Sequence, residues 1–140
     1  MRSVDDIALN QLVCRILGEL DGWSYLPGDG EYSEEHVAVW YLRLHGEPAR
    51  GVAVRVYGGD DSAGLKIRRV QFISRGLPND PFGADRIAAQ IYATFHEVSR
   101  ADGIAYARRI SFGPLGPDGN GREERSDNYE LTLDNLEVLS

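Results

Sequence analysis

The chain has 140 residues, 42% of them hydrophobic and 26% charged, which suits a single domain over residues 1–140 with its own core and speaks against a disordered or membrane-embedded chain. A formal net charge of -7 and a pI near 4.9 argue against holding nucleic acid by neutralising phosphates, although the same charge suits a surface past which DNA slides. The lone cysteine, Cys14, cannot form an intrachain disulfide and is compatible with assembly in a reducing cytoplasm.

The opening run lacks the apolar stretch of a secretory leader, because Asp5 and Asp6 interrupt it, and no segment approaches the length of a membrane-spanning helix. Ser3 with Asp6 has the form of a capping box, and Ile7, Leu9, Leu12, Val13, Ile16, Leu17 and Leu20 follow at helical spacing, which predicts a helix over about residues 4–20. Cys14 lies beside that apolar row and reads as a packed thiol. Gly22 stops the helix, and the acidic, glycine-bearing stretch 28–35 reads as a solvated loop. Residues 36–44 are apolar in both alternating phases, as in a central strand covered on both faces. After Gly46-Glu47-Pro48, Val52, Val54 and Val56 mark a second strand, and a turn at 58–61 leads to a third. In the third, Leu65 and Ile67 occupy one phase and Val70 and Phe72 the other, so a bulge or bend is expected around Arg68 and Arg69.

Asp80-Pro81 opens a second helix with the stripe Ile87, Ala88, Ile91, Phe95 and Val98, ended by Asp102-Gly103. Ile104, Tyr106, Arg108, Ile110 and Phe112 then alternate as a strand, and a last strand runs from about Tyr129 to Val138. Residues 113–128 between them read as an extended polar arm, too hydrophilic to pack on itself. The implied fold is α+β: a mostly antiparallel sheet of about five strands, two helices on one face, and the long arm between the last two strands.

No chemical signature survives inspection. His96-Glu97 begins like the zinc helix H-E-x-x-H, but Arg100 stands where the second imidazole must be, which leaves an ordinary helix face. His36 beside Glu34 and Glu35 reads as a solvated loop, and His45 as a turn residue. The loop from Asp118 places Arg122, Glu123 and Tyr129 at the fifth, sixth and twelfth positions of a calcium loop, where oxygen ligands and a glycine are needed. Neither a phosphate-cradling loop nor a nucleophile elbow is present, so no enzyme activity, metal or cofactor is expected. Lys66, Arg68, Arg69, Arg108 and Arg109 lie within or beside apolar alternation, while acids, Asp118 among them, cluster at 29–35 and 118–137. That separation fits either a basic patch meeting a neighbour's acidic loop or a solvated sheet face.

Three stretches resemble the siphophage tail terminator family, also known as minor capsid or tail completion proteins. They are the helix from Val4 to Leu17; Val70-Gln-Phe-Ile-Ser-Arg-Gly76 leading into Asp80-Pro81; and Pro114-Leu-Gly-Pro-Asp-Gly-Asn-Gly-Arg122 followed by Asn128-Tyr-Glu-Leu-Thr-Leu. The resemblance implies a virion protein that forms a ring, a hexamer, on the head-proximal end of the tail tube. Its partners would be further copies of itself, the major tail tube protein and the head-tail connector, with DNA only in transit and no membrane. Arg75, Arg122, Asn128 and Tyr129 occupy matching motif positions as interface or arm-anchoring residues. Their alternatives are turn formation for Arg75 and Asn128 and core packing for Tyr129. A neighbouring neck adaptor, or a ligand-binding or enzymatic α/β domain, would also fit the fold class.

Overall fold

The computed structural model describes residues 5–28, 30–62, 66–101 and 103–133. The first helix, α1, spans Asp6–Gly18. Its cap is Asp5, whose Oδ1 accepts the Ala8 amide at 2.7 Å; Ser3, expected to cap, lies outside the described residues. Leu9, Asn10, Val13, Cys14 and Leu17 face the sheet, whereas Ile7 is exposed. Asn10 is tolerated there because its Nδ2 donates to the Val54 carbonyl at 2.8 Å and its Oδ1 accepts from Cys14 Sγ at 3.2 Å. Burial pushes the Cys14 thiol up to about 12, with Arg15 acting weakly the other way, so the packed reading of this residue holds.

Among the described residues seven strands form one sheet: β1 (Trp23–Tyr25), β2 (Val37–Tyr41), β3 (Gly51–Asp60), β4 (Lys66–Pro78), β5 (Val98–Ala101), β6 (Ile104–Pro117) and β7 (Arg122–Leu133). Their order across the sheet is β1-β2-β3-β4-β7-β6-β5. The α+β class and the shared helical face agree with the sequence; the count of about five strands does not. Two short edge strands, β1 and β5, were hidden because three or four residues are too few for an alternation to register. The sheet is mixed, with β1, β2 and β3 mutually parallel and the remaining ladders antiparallel. A parallel return usually needs a dozen or more residues. Residues 42–50 suffice because the ladder runs only from Ala38↔Gly51 to Tyr41↔Val54. Trp40 lies across Gly51, where a Cβ would fall 2.2 Å from the indole ring, so glycine is required at this close approach.

The bulge expected at Arg68 and Arg69 belongs to the partner strand. Val56 pairs with Val70 and Gly58 with Arg69, so the additional residue is Tyr57 of β3, while β4 pairs continuously with β7 from Lys66 to Arg75. Ile67 therefore lies on the open face; Leu65 is outside the described residues.

The second helix, α2, spans Gly83–Phe95, shorter than expected. It starts where Asp80 Oδ1 accepts the Phe82 amide at 3.0 Å, and Gly76 and Gly83 let β4 and the helix touch backbone to backbone. It ends at His96, and Glu97 takes a positive φ of 56° before β5. Val98, assigned by its spacing to the helix, begins a strand instead, because the left-handed turn has already reversed the chain. Asp102, the expected terminator, is outside the described residues.

Both helices cover the same face, α1 over β1 to β3 and α2 over β4, β7 and β6. The core between helices and sheet includes Val39, Val52, Val54, Val70, Phe72, Tyr129 and Leu131 from the strands and Ile91 and Phe95 from α2. The principal correction concerns residues 113–128. They form the distal half of a long hairpin in which 113–117 complete β6 and 122–128 begin β7, paired on one side with β6 and on the other with β4. The polar composition was misleading because the segment pairs with itself as a hairpin, from Gly113↔Ser126 to Pro117↔Glu123, and its second half also bonds to β4, far away in sequence. Leu133 ends the described part of β7, and Val138, the expected end of the last strand, lies beyond it.

Candidate functional site

The residues singled out in the sequence separate into two groups. Arg75, Asp118 and Arg122 converge where the hairpin tip meets the connection 42–50. Arg75, near the C-terminal end of β4, is only 4% exposed and donates to the carbonyls of His45 (2.6 Å), Pro48 (3.0 Å) and Ala49 (2.7 Å), with its guanidinium 5.7 Å from the Trp40 ring centre. Arg122, also buried, donates from Nε to Asp118 Oδ2 at 2.7 Å and from a terminal nitrogen to the Gly46 carbonyl at 2.8 Å. Asp118 in turn accepts the Asn120 and Arg122 amides at 2.8 and 3.0 Å.

These contacts show in the titration of the groups. The backbone amides of Arg122 and Asn120, together with the Arg122 guanidinium, hold the Asp118 carboxyl below the usual carboxylate range. Burial and then the nearby Arg122 charge pull Arg75 below its ordinary value, and burial followed by Asp118 raises Glu124. Two arginines are thus spent on main-chain oxygens of one loop, which fixes its shape. On that loop His45 stacks on Trp40 at 5.1 Å, and Tyr32 meets Trp40 edge-on at 5.8 Å.

Arg108, Arg109, Asn128 and Tyr129 lie on the β6–β7 ladder, on alternating faces. On the open face Arg108 and Arg69 share Glu130 at 3.7 and 3.6 Å, and Asn128 donates to Ser111 Oγ at 3.0 Å. On the helical face Tyr129 is core, packed edge-on against Phe72 and Phe95, with burial first and Asp127 second raising its hydroxyl pKa. Core packing is therefore its position, and turn formation is excluded for Arg75 and Asn128, which are both in strands.

The sequence reading missed Asp127, Arg125 and Phe112. Asp127 is 0% exposed and accepts both Arg125 Nε (2.8 Å) and a terminal Arg125 nitrogen (2.9 Å), with Arg109 at 3.3 Å. Arg125 also reaches Asp85 of α2 at 3.0 Å. Phe112, 57% exposed, is flanked by Arg109 at 4.2 Å and Arg125 at 4.6 Å. A signal was present: Asp127 shares the strand phase of Tyr129, Leu131 and Leu133, and a carboxylate on a buried phase needs partners.

Outside β6 the sheet is incomplete. β5 pairs only with 104–107, and the Arg109 amide donates to His96 Nδ1 at 3.0 Å. Beyond that point β6 has β7 on one flank and no strand on the other among the described residues, with Ile110, Phe112 and Leu115 exposed. No group of three or more His, Cys, Asp or Glu among the described residues is placed to hold a metal ion.

The comparison with curated proteins gave no match. Residues 29–135 match the family described as bacteriophage tail terminator protein, which takes in everything from the loop before β2 to the end of the hairpin. With most of its length covered, this chain belongs to the bacteriophage tail terminator family.

Proposed function

We propose that this protein is a structural virion subunit that forms a closed ring, a hexamer, at the head-proximal end of a phage tail tube, where it ends polymerisation and presents a docking face to the head-tail connector. The observation that carries the reading is the family match over residues 29–135. Three features of the subunit suit the role. Among the described residues the outer flank of β6 has no partner strand over 110–117 and displays apolar side chains, as expected of a protein that completes itself against a neighbour. The loop 42–50 is held rigid by Arg75 and Arg122, so it offers one shape to a partner without an ordering cost. A net charge of -7 keeps DNA in transit from adhering.

In this reading Arg108, Arg109 and Asn128 belong to the contact ladder, while Arg75, Asp118, Arg122 and Tyr129 shape the subunit that makes contact. The partners are further copies of the chain, the major tail tube protein and the connector; assembly takes place in the host cytoplasm, and no catalysis or cofactor is involved. Electron microscopy of a lysate from phage lacking the protein tests it. Filled heads without tails, beside tubes that are overlong or unjoined, are expected, and purified protein added to separated heads and tails restores joining. Tails of normal length firmly attached to heads would refute the role.

A further inference from the structure

Apolar side chains stand exposed at both ends of the sheet. At one end are Ile110, Phe112 and Leu115 of β6. At the other is a concavity of about 490 Å³ whose lining includes Ile7, Tyr25, Leu26, Tyr32, Trp40 and Tyr41. One residue of each patch lies on a shared register row: Tyr41 pairs with Val54, Val54 with Phe72, Phe72 with Asp127 and Asp127 with Phe112. Projections and a receptacle level with each other on opposite edges can meet by rotation about an axis running with the strands, with no shift along it. That is the condition under which a head-to-tail contact closes into a ring and does not grow into a filament.

Charge agrees with this pairing. Around the concavity the exposed carboxylates Glu31, Glu34 and Glu47 line an adjoining hollow that shares Leu26, Tyr32 and Trp40. On the β6 side Arg108 and Arg69 share the single carboxylate of Glu130, and Arg109 lies over Phe112. The strand is shaped to offer side chains and not a continuous ladder. Ile110 and Leu115 are the additional residues of two bulges, and Pro114 and Pro117 lack the donors that a further strand added at this edge could use.

We infer that the β6 edge of one copy seats Ile110, Phe112 and Leu115 in the aromatic concavity of the next, an interface that rests on the ring reading above. The test uses the full chain with Phe112→Glu on the projecting side and Tyr41→Glu on the receiving side, both at exposed positions. Sedimentation velocity over rising concentration, and electron microscopy of rings on tube ends from terminator-lacking particles, follow assembly; circular dichroism confirms folding.

Each variant should weaken self-association about thirtyfold, the size of losing one interface anchor. Mixed together, the two should form a dimer and stop there, because only one intact edge and one intact concavity remain to meet. If wild-type rings form and neither variant disturbs them, or if the variants form rings yet fail only to bind tubes or heads, this interface is wrong while the ring stands. Should the wild-type chain form no ring in solution or on tube ends, both readings fall.

Discussion

Two sets of arginines in this protein do opposite work, and the contrast lies in what they face. Arg75 and Arg122 are buried at the tip of the hairpin and spend their donors on the carbonyls of His45, Gly46, Pro48 and Ala49. Arg108 and Arg109, near the outer edge of the sheet, lean on carboxylates of the neighbouring strand and on aromatic faces. A guanidinium desolvated against main-chain oxygens is part of the fold, since removing it strands several buried acceptors. Arg108, half in water, can exchange partners at little cost, whereas Arg109 is 22% exposed and held by the buried Asp127. The residues at the hairpin tip therefore shape the subunit, and Arg108 near the edge keeps its guanidinium half exposed.

The sharpest way to break this contrast is to delete 117–126, which removes Asp118, Arg122 and the turn joining β6 to β7. The expected result is loss of cooperative unfolding, seen in thermal melts, since β7 lies between β4 and β6. A deletion variant that melts like the parent would return the segment to the status of a free arm. Next in size is Arg75→Ala, expected to cost about 3–5 kcal/mol by chemical denaturation because three carbonyls lose their donor; Arg75→Lys should recover only part of it, lacking the fork. Asp127→Ala leaves Arg125 and Arg109 facing one another with their shared carboxylate gone, and should cost about 3 kcal/mol. Arg108→Ala, in contrast, should shift stability by less than about 1 kcal/mol, because its pair with Glu130 is half exposed, while weakening association.

The smallest effect concerns pH. Asp118 has its folded pKa lowered, so its contribution is present above the unfolded carboxylate value near 3.8 and is lost as pH falls through the lower folded value. Asp118→Asn should flatten that acid limb of the stability curve, measured by denaturation between neutral pH and about pH 3. An unchanged limb would mean that the hairpin tip does not depend on this charge. Cys14, with its thiol pushed up and buried, should resist alkylation at neutral pH until the chain is unfolded, as mass spectrometry would show.

What could be read from residues alone follows from local chemistry. Helical spacing located α1 and the stripe Ile87, Ala88, Ile91, Phe95 of α2, alternation located β3 and the first half of β6, and three quoted stretches pointed to the tail terminator family to which the chain belongs. These signals are periodic in sequence and survive without knowledge of neighbours. Tertiary structure alone decided the rest. The parallel pairing of β2 and β3 depends on Arg75 and Arg122 holding 42–50 from across the sheet, separations of 26 to 76 residues that no local pattern records. Residues 113–128 are polar enough to be a loop by composition, yet 113–117 and 122–128 are strands, paired with each other across the turn and, for 122–128, with β4 on the far flank. Whether an arginine faces a carbonyl, a carboxylate or open water is likewise a property of which strands are adjacent, and adjacency is what the folded sheet, not the chain order, sets.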